Sequence, residues 1–181
     1  MEYLDVLDEK GNPTGEKKSR TEIHRDGDWH QSAHIWIMNS KHELLMQKRS
    51  PNVENEPNLW DISSAGHIPT GANALDTAMR EVREELGLIL SSDIFEHLGI
   101  VTQEKRERER AYWNREFDDL YLIAHDLNLT RLQLQKEEVA AVRWIPFREL
   151  EKAIDAGDPT FVPHPEEYKK LFAILHKRYG E

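Results

Sequence analysis

From residue 66 the chain reads Gly66-His67-Ile68-Pro69-Thr70-Gly71-Ala72-Asn73-Ala74-Leu75-Asp76, and after three more residues it continues as Arg80-Glu81-Val82-Arg83-Glu84-Glu85-Leu86-Gly87-Leu88. Asn73 is a good N-cap residue, and Asp76 places negative charge at the positive end of the helix dipole. Gly87 supplies the left-handed residue that commonly ends a helix. The stretch therefore predicts a glycine-containing loop followed by a helix between Asn73 and Gly87.

One face of this predicted helix is apolar. The residues that recur there at helical spacing are Ala74, Leu75, Ala78, Met79, Val82 and Leu86. Glu81 and Glu85 fall side by side at the edge of this face, with Glu84 one step further round. Like charges at this spacing repel by about 0.2–0.5 kcal/mol. A hard cation such as Mg²⁺ would reverse the sign, because it binds carboxylate oxygens; an ordinary solvated acidic edge is the alternative.

The order of these residues closely resembles the Nudix box, the signature of the Nudix hydrolase family. Residues 66–88 match its fixed positions except one, where Ala72 replaces the first glutamate. The resemblance implies an α/β fold, a Nudix-type α/β/α sandwich with a mixed β-sheet. It also implies that metal-activated water hydrolyses a diphosphate linkage. The implied ligands of Mg²⁺ or Mn²⁺ are Glu81, Glu84, Glu85 and a loop carbonyl near Gly66.

The resemblance also suggests catalytic residues. Arg80 lies one turn before Glu84 and would hold a box glutamate by a charge-assisted hydrogen bond. The family takes its general base from the box or from a later loop, so Glu84 and Glu116 are both candidates. Ala72 implies one metal ion fewer, or a water molecule in place of the missing carboxylate.

Most of the chain resembles Nudix proteins akin to type I isopentenyl-diphosphate isomerase. The matching segments are Asp5-Val6-Leu7-Asp8, the turn at 11–15, Trp29-His30, Ile35-Trp36-Ile37, Leu59-Trp60-Asp61 and Ala65-Gly66-His67. The histidine-rich metal site of the isomerases would correspond to His24, His30, His67, Glu116 and Asp118. For the histidines, core or surface hydrogen bonding is the alternative.

The isomerase, however, requires a cysteine where this chain has Ala65. The neighbouring Ser63 and Ser64 hydroxyls are too weakly acidic to replace a thiol without a dedicated base. The favoured function is therefore hydrolysis of a small-molecule diphosphate. An isomerase-like enzyme, a prenyl-diphosphate hydrolase and a noncatalytic Nudix-fold binding module stay as alternatives.

Composition limits the classes of function. The 181 residues fit one domain, 1–181, with a formal charge of −10, which argues against binding a nucleic acid polymer. There are no cysteines, so disulfides and thiolate metal sites are excluded. No apolar run is long enough for a membrane, and the N-terminus is unlike a signal peptide, so we expect a cytoplasmic protein without a membrane partner. A homodimer stays open.

Alternating and apolar runs predict further elements. The predicted strands are 3–8, 32–39, 44–49, 60–64, 95–102, 117–124 and 139–145, and the predicted later helices are 147–153 and 166–178. The charged stretch 103–115 is interpreted as a solvated mobile loop, with a substrate lid as an option. Lys48 and Arg49 end a strand and, with Trp113 beside the charged stretch, are candidate substrate-binding residues; Tyr112, Trp36, Trp60 and Phe161 are further aromatic candidates.

Overall fold

The computed structural model describes residues 2–107, 109 and 111–180. The strands are β1 (Tyr3–Leu7), β2 (Pro13–Ser19), β3 (Trp29–Met38), β4 (Glu43–Arg49), β5 (Trp60–Asp61), β6 (Ser64–His67), β7 (Glu96–Glu107), β8 (Tyr112–Ala124) and β9 (Val139–Pro146). The helices are α1 (Arg20–Asp26), α2 (Ala74–Leu86), α3 (Phe147–Asp155) and α4 (Pro165–Tyr179), with short 3-10 turns at Ser92–Ile94 and Leu129–Arg131. None of the helices in these ranges combines the length and hydropathy that a membrane crossing requires.

In the part of the chain that the structure describes, helices cover both faces of a nine-stranded mixed sheet. Strand β3 pairs with β8 in parallel and with β6 in antiparallel fashion. Because side chains alternate along a strand, Ile35 and Ile37 pack with the helix α2, whereas Trp36 and Met38 pack with α3 and α4. This confirms the predicted α/β/α sandwich with a mixed sheet.

Helix α2 has the ends that its sequence predicts. The Asn73 side chain accepts a 2.9 Å hydrogen bond from the Asp76 amide. Gly87 adopts a left-handed conformation with φ of 71°, and its amide bonds to the carbonyl of Arg83. The predicted apolar face is buried at Ala78, Val82 and Leu86.

Residues 60–64 form parts of two strands, so the single strand predicted there is wrong. Strand β5 pairs with β4, whereas β6 pairs with β3. Ser63 makes the crossing between them: its hydroxyl donates to the carbonyl of Leu45 on β4 and accepts from the amide of Ile37 on β3. The side-chain hydroxyl thus replaces a backbone partner where β3 and β4 separate.

A two-stranded ribbon replaces most of the loop predicted at 103–115. Strands β7 and β8 pair continuously from Gln103 opposite Glu116 to Glu107 opposite Tyr112, while Arg108 and Arg110 lie outside the described residues. Cross-strand contacts stabilise the charged side chains; Trp113 donates to Glu104 and lies under the guanidinium of Arg106. Because the stretch is rich in charged residues, it lacks the alternation of apolar and polar residues that would predict a strand.

Helix α1 was not predicted, although its sequence contains the signals. The Ser19 hydroxyl and the Glu22 carboxylate cap each other's backbone amides in a capping box. Gly27 ends the helix in a left-handed conformation, and a Cβ at this position would collide with the Trp113 ring. The helix brings His24 to the edge of β3.

Candidate metal-binding cleft

A cleft of about 650 Å³ opens where α2, β6, the β7–β8 ribbon and the start of α4 meet. Its walls are mostly polar, and Tyr112 is the one Phe, Trp or Tyr residue among the described residues that line it. All three box glutamates reach it, together with Gly66, His67, Glu116 and Asp118. The cleft therefore collects most of the residues that the sequence singles out.

Glu81 and Glu85 are buried, although each is a carboxylate beside another carboxylate. Burial raises the pKa of Glu81 to about 7 against the opposing charge of Arg80, and burial raises the pKa of Glu85 well above its ordinary value. Glu85 accepts a long hydrogen bond of 3.4 Å from the Gln47 amide, and the Ser64 hydroxyl also acts against the effect of burial on its pKa without overcoming it. Two buried acids without full compensation are a costly arrangement unless a cation joins them.

Gly66 creates the space that Glu81 occupies. A Cβ at this position would overlap the carboxylate of Glu81. The backbone of Gly66 therefore lies directly against a potential metal ligand. This cradle, together with a donor set made of oxygens, fits a hard divalent cation such as Mg²⁺.

Arg80 organises the outer side of the glutamate cluster. Its guanidinium lies 2.6 Å from Glu81 and 2.9 Å from Glu84, which confirms the i, i+4 contact predicted from spacing. The side chain of Glu84 is 44% exposed and is the most accessible of the three acids. Ala72 is exposed on the turn before α2 and does not line the cleft.

The three predicted histidines come together, one from each of α1, β3 and β6. The ring centroids of His24, His30 and His67 are 4.9, 5.2 and 5.1 Å apart. One ring nitrogen from each lies within 4.8 Å of the others, as a shared metal ion requires. Burial, with the neighbouring histidines, lowers the pKa of His24 to about 3, so its ring is neutral and can donate a lone pair. His67 lines the cleft, and the other two rings lie behind it.

Glu116 joins this histidine cluster to the cleft. Its Oε1 lies 3.5 Å from His30, 3.3 Å from His67 and 2.6 Å from the hydroxyl of Ser32. Although burial opposes it, hydrogen bonds and charge from the two histidines hold the pKa of Glu116 well below its usual range. For His67, burial is outweighed by hydrogen bonds to Glu116 and Glu2, which raise the pKa to about 9.

The deepest part of the cleft contains groups that sequence reasoning missed. Nδ1 of His34 is hydrogen-bonded to Oε2 of Glu167 at 2.7 Å, and Nε2 of His164 is hydrogen-bonded to Oδ1 of Asp61 at 2.8 Å. These partners are more than 100 residues apart along the chain, so local patterns do not reveal them. Predicted Asp118 lies beside them, with its Oδ1 3.6 Å from Nε2 of His34.

The candidate substrate-binding residues divide into two groups. Arg49 lines the cleft and forms a 3.0 Å ion pair with Asp61. Lys48 does not line the cleft, because side chains alternate along β4 and those of Gln47 and Arg49 are on the cleft side. Trp113 is also outside the cleft, packed between the guanidinium groups of Arg106 and Arg115. Tyr112 lines the cleft, and its ring centroid lies 4.8 Å from that of His24.

Two cleft cations were not predicted as site residues. Arg20 lies at the start of α1, and Lys105 lies on β7 in the segment interpreted as a loop. Lys105 contacts Glu56 at 2.6 Å across the mouth of the cleft. Trp36 and Phe161 are buried in the core, and Trp60 packs against it.

Comparisons with known proteins find similarity to one family of domains. A family model described as the NUDIX domain matches residues 28–164. Nudix hydrolase 3 of Arabidopsis thaliana is 43% identical over 98% of this chain, which spans only 24% of that protein. An uncharacterized Nudix hydrolase of Listeria monocytogenes is 36% identical over 91% of this chain and 90% of its own length.

Weaker similarities extend beyond these relatives. Isopentenyl-diphosphate Delta-isomerase of Serratia proteamaculans is 27% identical over 99% of this chain and 92% of its own. A crystal structure of a Deinococcus radiodurans protein superimposes with a TM-score of 0.69 at 19% identity, covering 98% of this chain and 99% of that one. The last similarity concerns the fold alone.

Proposed function

The chain belongs to the NUDIX domain family, and from this we propose that it hydrolyses the diphosphate linkage of a small molecule, such as a nucleoside diphosphate derivative, with Mg²⁺ or Mn²⁺. One observation carries the proposal: Glu81 and Glu85 are buried together against Gly66 in a polar cleft. Such a carboxylate pair is suited to a divalent cation. Glu84, the most exposed of the three glutamates, completes the proposed ligand set.

Residues of the cleft would activate the water molecule and position the general base. A bound cation would neutralise the phosphoryl oxygens and lower the pKa of a coordinated water. Glu84 is our preferred general base because its carboxylate is the accessible one, whereas Glu116 already accepts hydrogen bonds from Ser32 and Gln103. Arg80 would position Glu84 through their 2.9 Å contact.

Cations at the mouth of the cleft are the proposed phosphate contacts. Arg49 lines the cleft beside Asp61, and Lys105 lines it in contact with Glu56 and Glu107. A guanidinium and an ammonium each have several N–H donors, so both cations can also donate to a phosphate oxygen. We assign Arg49 and Lys105, rather than Lys48 and Trp113, to substrate binding.

A substrate panel tests this function. Nucleoside diphosphates, nucleoside triphosphates, nucleotide sugars and prenyl diphosphates are each incubated with Mg²⁺ or Mn²⁺, and released phosphate and the organic product are separated by chromatography. We expect metal-dependent cleavage of at least one class, and preference for polar compounds, since the cleft walls are mostly polar. Absence of cleavage across the panel by folded, metal-binding protein would contradict the proposal.

The isomerase-like alternative has one observation in its favour, the assembled cluster of His24, His30, His67 and Glu116. Ala65 nevertheless offers only a methyl group to the cleft, where the isomerase resemblance requires a thiol. Exchange of the carbon-bound protons of isopentenyl diphosphate in heavy water separates the two reactions. A hydrolase leaves these protons in place, whereas measurable exchange would favour the isomerase.

A further inference from the structure

The cleft contains a buried acid without a hydrogen-bond partner among the described residues. Asp118 on β8 is fully buried, and neither of its carboxylate oxygens has a hydrogen-bond partner among the described residues. It nevertheless lines the cleft. Leaving a charged group unsatisfied in the interior costs more than leaving a neutral one, so this carboxylate requires a cation or a proton donor close by.

His34 on β3 faces this carboxylate with one defined nitrogen. Its Nδ1 lies 2.7 Å from Glu167, whose other oxygen accepts a 2.7 Å hydrogen bond from the indole of Trp36. Since a carboxylate only accepts, Nδ1 of His34 carries the proton. The remaining nitrogen, Nε2, is directed at Asp118 across 3.6 Å. Carboxylates commonly orient metal-binding histidines in this way.

A third ligand group stands next to this pair. One atom each from His34, Glu116 and Asp118 lie within 4.8 Å of one another, and all three residues are buried. We propose that His34, Asp118 and Glu116 form a cation site in the cleft, oriented by Glu167. The site shares Glu116 with the cluster of His24, His30 and His67, and it differs from the isomerase-like ligand set in using His34. It is separate from the box glutamates and does not depend on the proposed hydrolysis.

The donor set indicates the class of ion. One imidazole and two carboxylates suit first-row ions such as Zn²⁺, Co²⁺ or Mn²⁺, whereas the oxygen ligands on α2 suit Mg²⁺. A direct ion pair between protonated His34 and Asp118 is the competing explanation. Their 3.6 Å separation is too long for a hydrogen bond but spans two atoms bound to one ion.

Cobalt binding by the full chain distinguishes the two explanations. Protein stripped with chelator and desalted is titrated with Co²⁺, and stoichiometry is read by calorimetry and by visible absorption. We expect His34→Gln and Asp118→Asn each to lose one bound ion, or to bind it at least tenfold more weakly. Their thermal unfolding in chelator is measured alongside to confirm that they fold.

Two further variants serve as controls. His164→Gln removes a buried histidine whose ring centroid is 5.5 Å from that of His34 but which is outside the proposed ligand set, so it should retain the ion. His24→Gln should affect only the neighbouring cluster. Unchanged stoichiometry and spectrum in both His34→Gln and Asp118→Asn would overturn the site in favour of an ion pair; loss in His164→Gln alone would overturn the ligand set.

A measurement on the unmodified protein avoids dependence on variant folding. Crystals soaked in Co²⁺ are examined for anomalous scattering at the cobalt edge. We expect a peak about 2.0–2.2 Å from Nε2 of His34 and from an oxygen of Asp118. Cobalt bound elsewhere in the cleft, with no peak between these two residues, would contradict the proposal.

Discussion

At the scale of single residues, the cleft depends on its small residues as much as on its charged ones. Gly66 leaves room for the carboxylate of Glu81, and Ala65 offers no nucleophile beside it. Glu81, Glu84 and Arg80 then form one connected group. The small residues of β6 and the acids of α2 therefore work together as one proposed metal site.

Substituting Gly66 by alanine tests this relation. The added Cβ would overlap the Glu81 carboxylate and force it away from the loop backbone. We expect Gly66→Ala to weaken Mg²⁺ binding at least tenfold, measured by calorimetry, and thermal unfolding without metal is measured alongside to confirm that the variant folds. Thr70→Ala, an exposed change in the same loop, is the matched control. Equal Mg²⁺ affinity in both variants would show that the space at Gly66 does not determine the position of Glu81 as a metal ligand.

At the scale of elements, α2 was predictable because each of its signals is local. The cap at Asn73, the left-handed Gly87 and the apolar face all depend on residues within a few positions of one another. The ribbon of β7 and β8 was not predictable from composition, because its charged residues are stabilised by cross-strand partners. The break between β5 and β6 could not be predicted from local sequence, because it depends on hydrogen bonds between Ser63 and the distant strands β3 and β4.

The same distinction applies to the site. The three box glutamates were identified by a local spacing, and the three histidines by resemblance. His34 and His164 were missed because their acidic partners, Glu167 and Asp61, are brought to them only by tertiary packing. The position of Lys48 at the end of a strand predicts a cleft residue, but alternation along β4 places Arg49 in the cleft lining and leaves Lys48 out of it.

Removing the cap of α2 gives a prediction at this scale. Asn73→Ala deletes the acceptor of the Asp76 amide and should cost about 1 kcal/mol of unfolding free energy. For a chain of this size, the midpoint should fall by roughly 2–4 °C. Asn73→Ser retains a neutral cap acceptor beside Asp76 and should remain near wild type. An alanine variant as stable as the serine variant would show that the cap contributes nothing.

At the scale of the whole molecule, the cleft concentrates ionisable groups whose pKa values are raised when no metal is bound. Burial raises the pKa of Glu81 to about 7 and that of Asp118 to about 8, while hydrogen bonds to Glu116 and Glu2 overcome burial to raise that of His67 to about 9. The pKa of His34 is also raised, against burial, by the charges of Asp118 and Glu167. The native state therefore retains protons that the unfolded chain releases.

This difference fixes the pH dependence of stability for protein stripped of metal. Groups with raised native pKa values lose their stabilising contribution as the pH rises through those values. Between pH 7 and 9 we expect the unfolding free energy to fall by on the order of 1 kcal/mol per pH unit, measured by urea denaturation in chelator. Saturating Mg²⁺ or Mn²⁺ should remove or reverse the trend, because metal requires deprotonated ligands. Stability that rises with pH in chelator would contradict this picture of the cleft.

We propose that the box glutamates of this cleft catalyse metal-dependent hydrolysis. Initial rates of wild type, Glu84→Gln and the exposed control Glu137→Gln are compared on the best substrate of the panel at saturating Mg²⁺. We expect Glu84→Gln to lose at least a hundredfold in kcat, the scale of a general base, while Glu137→Gln matches wild type. Equal rates in all three proteins would contradict the claim.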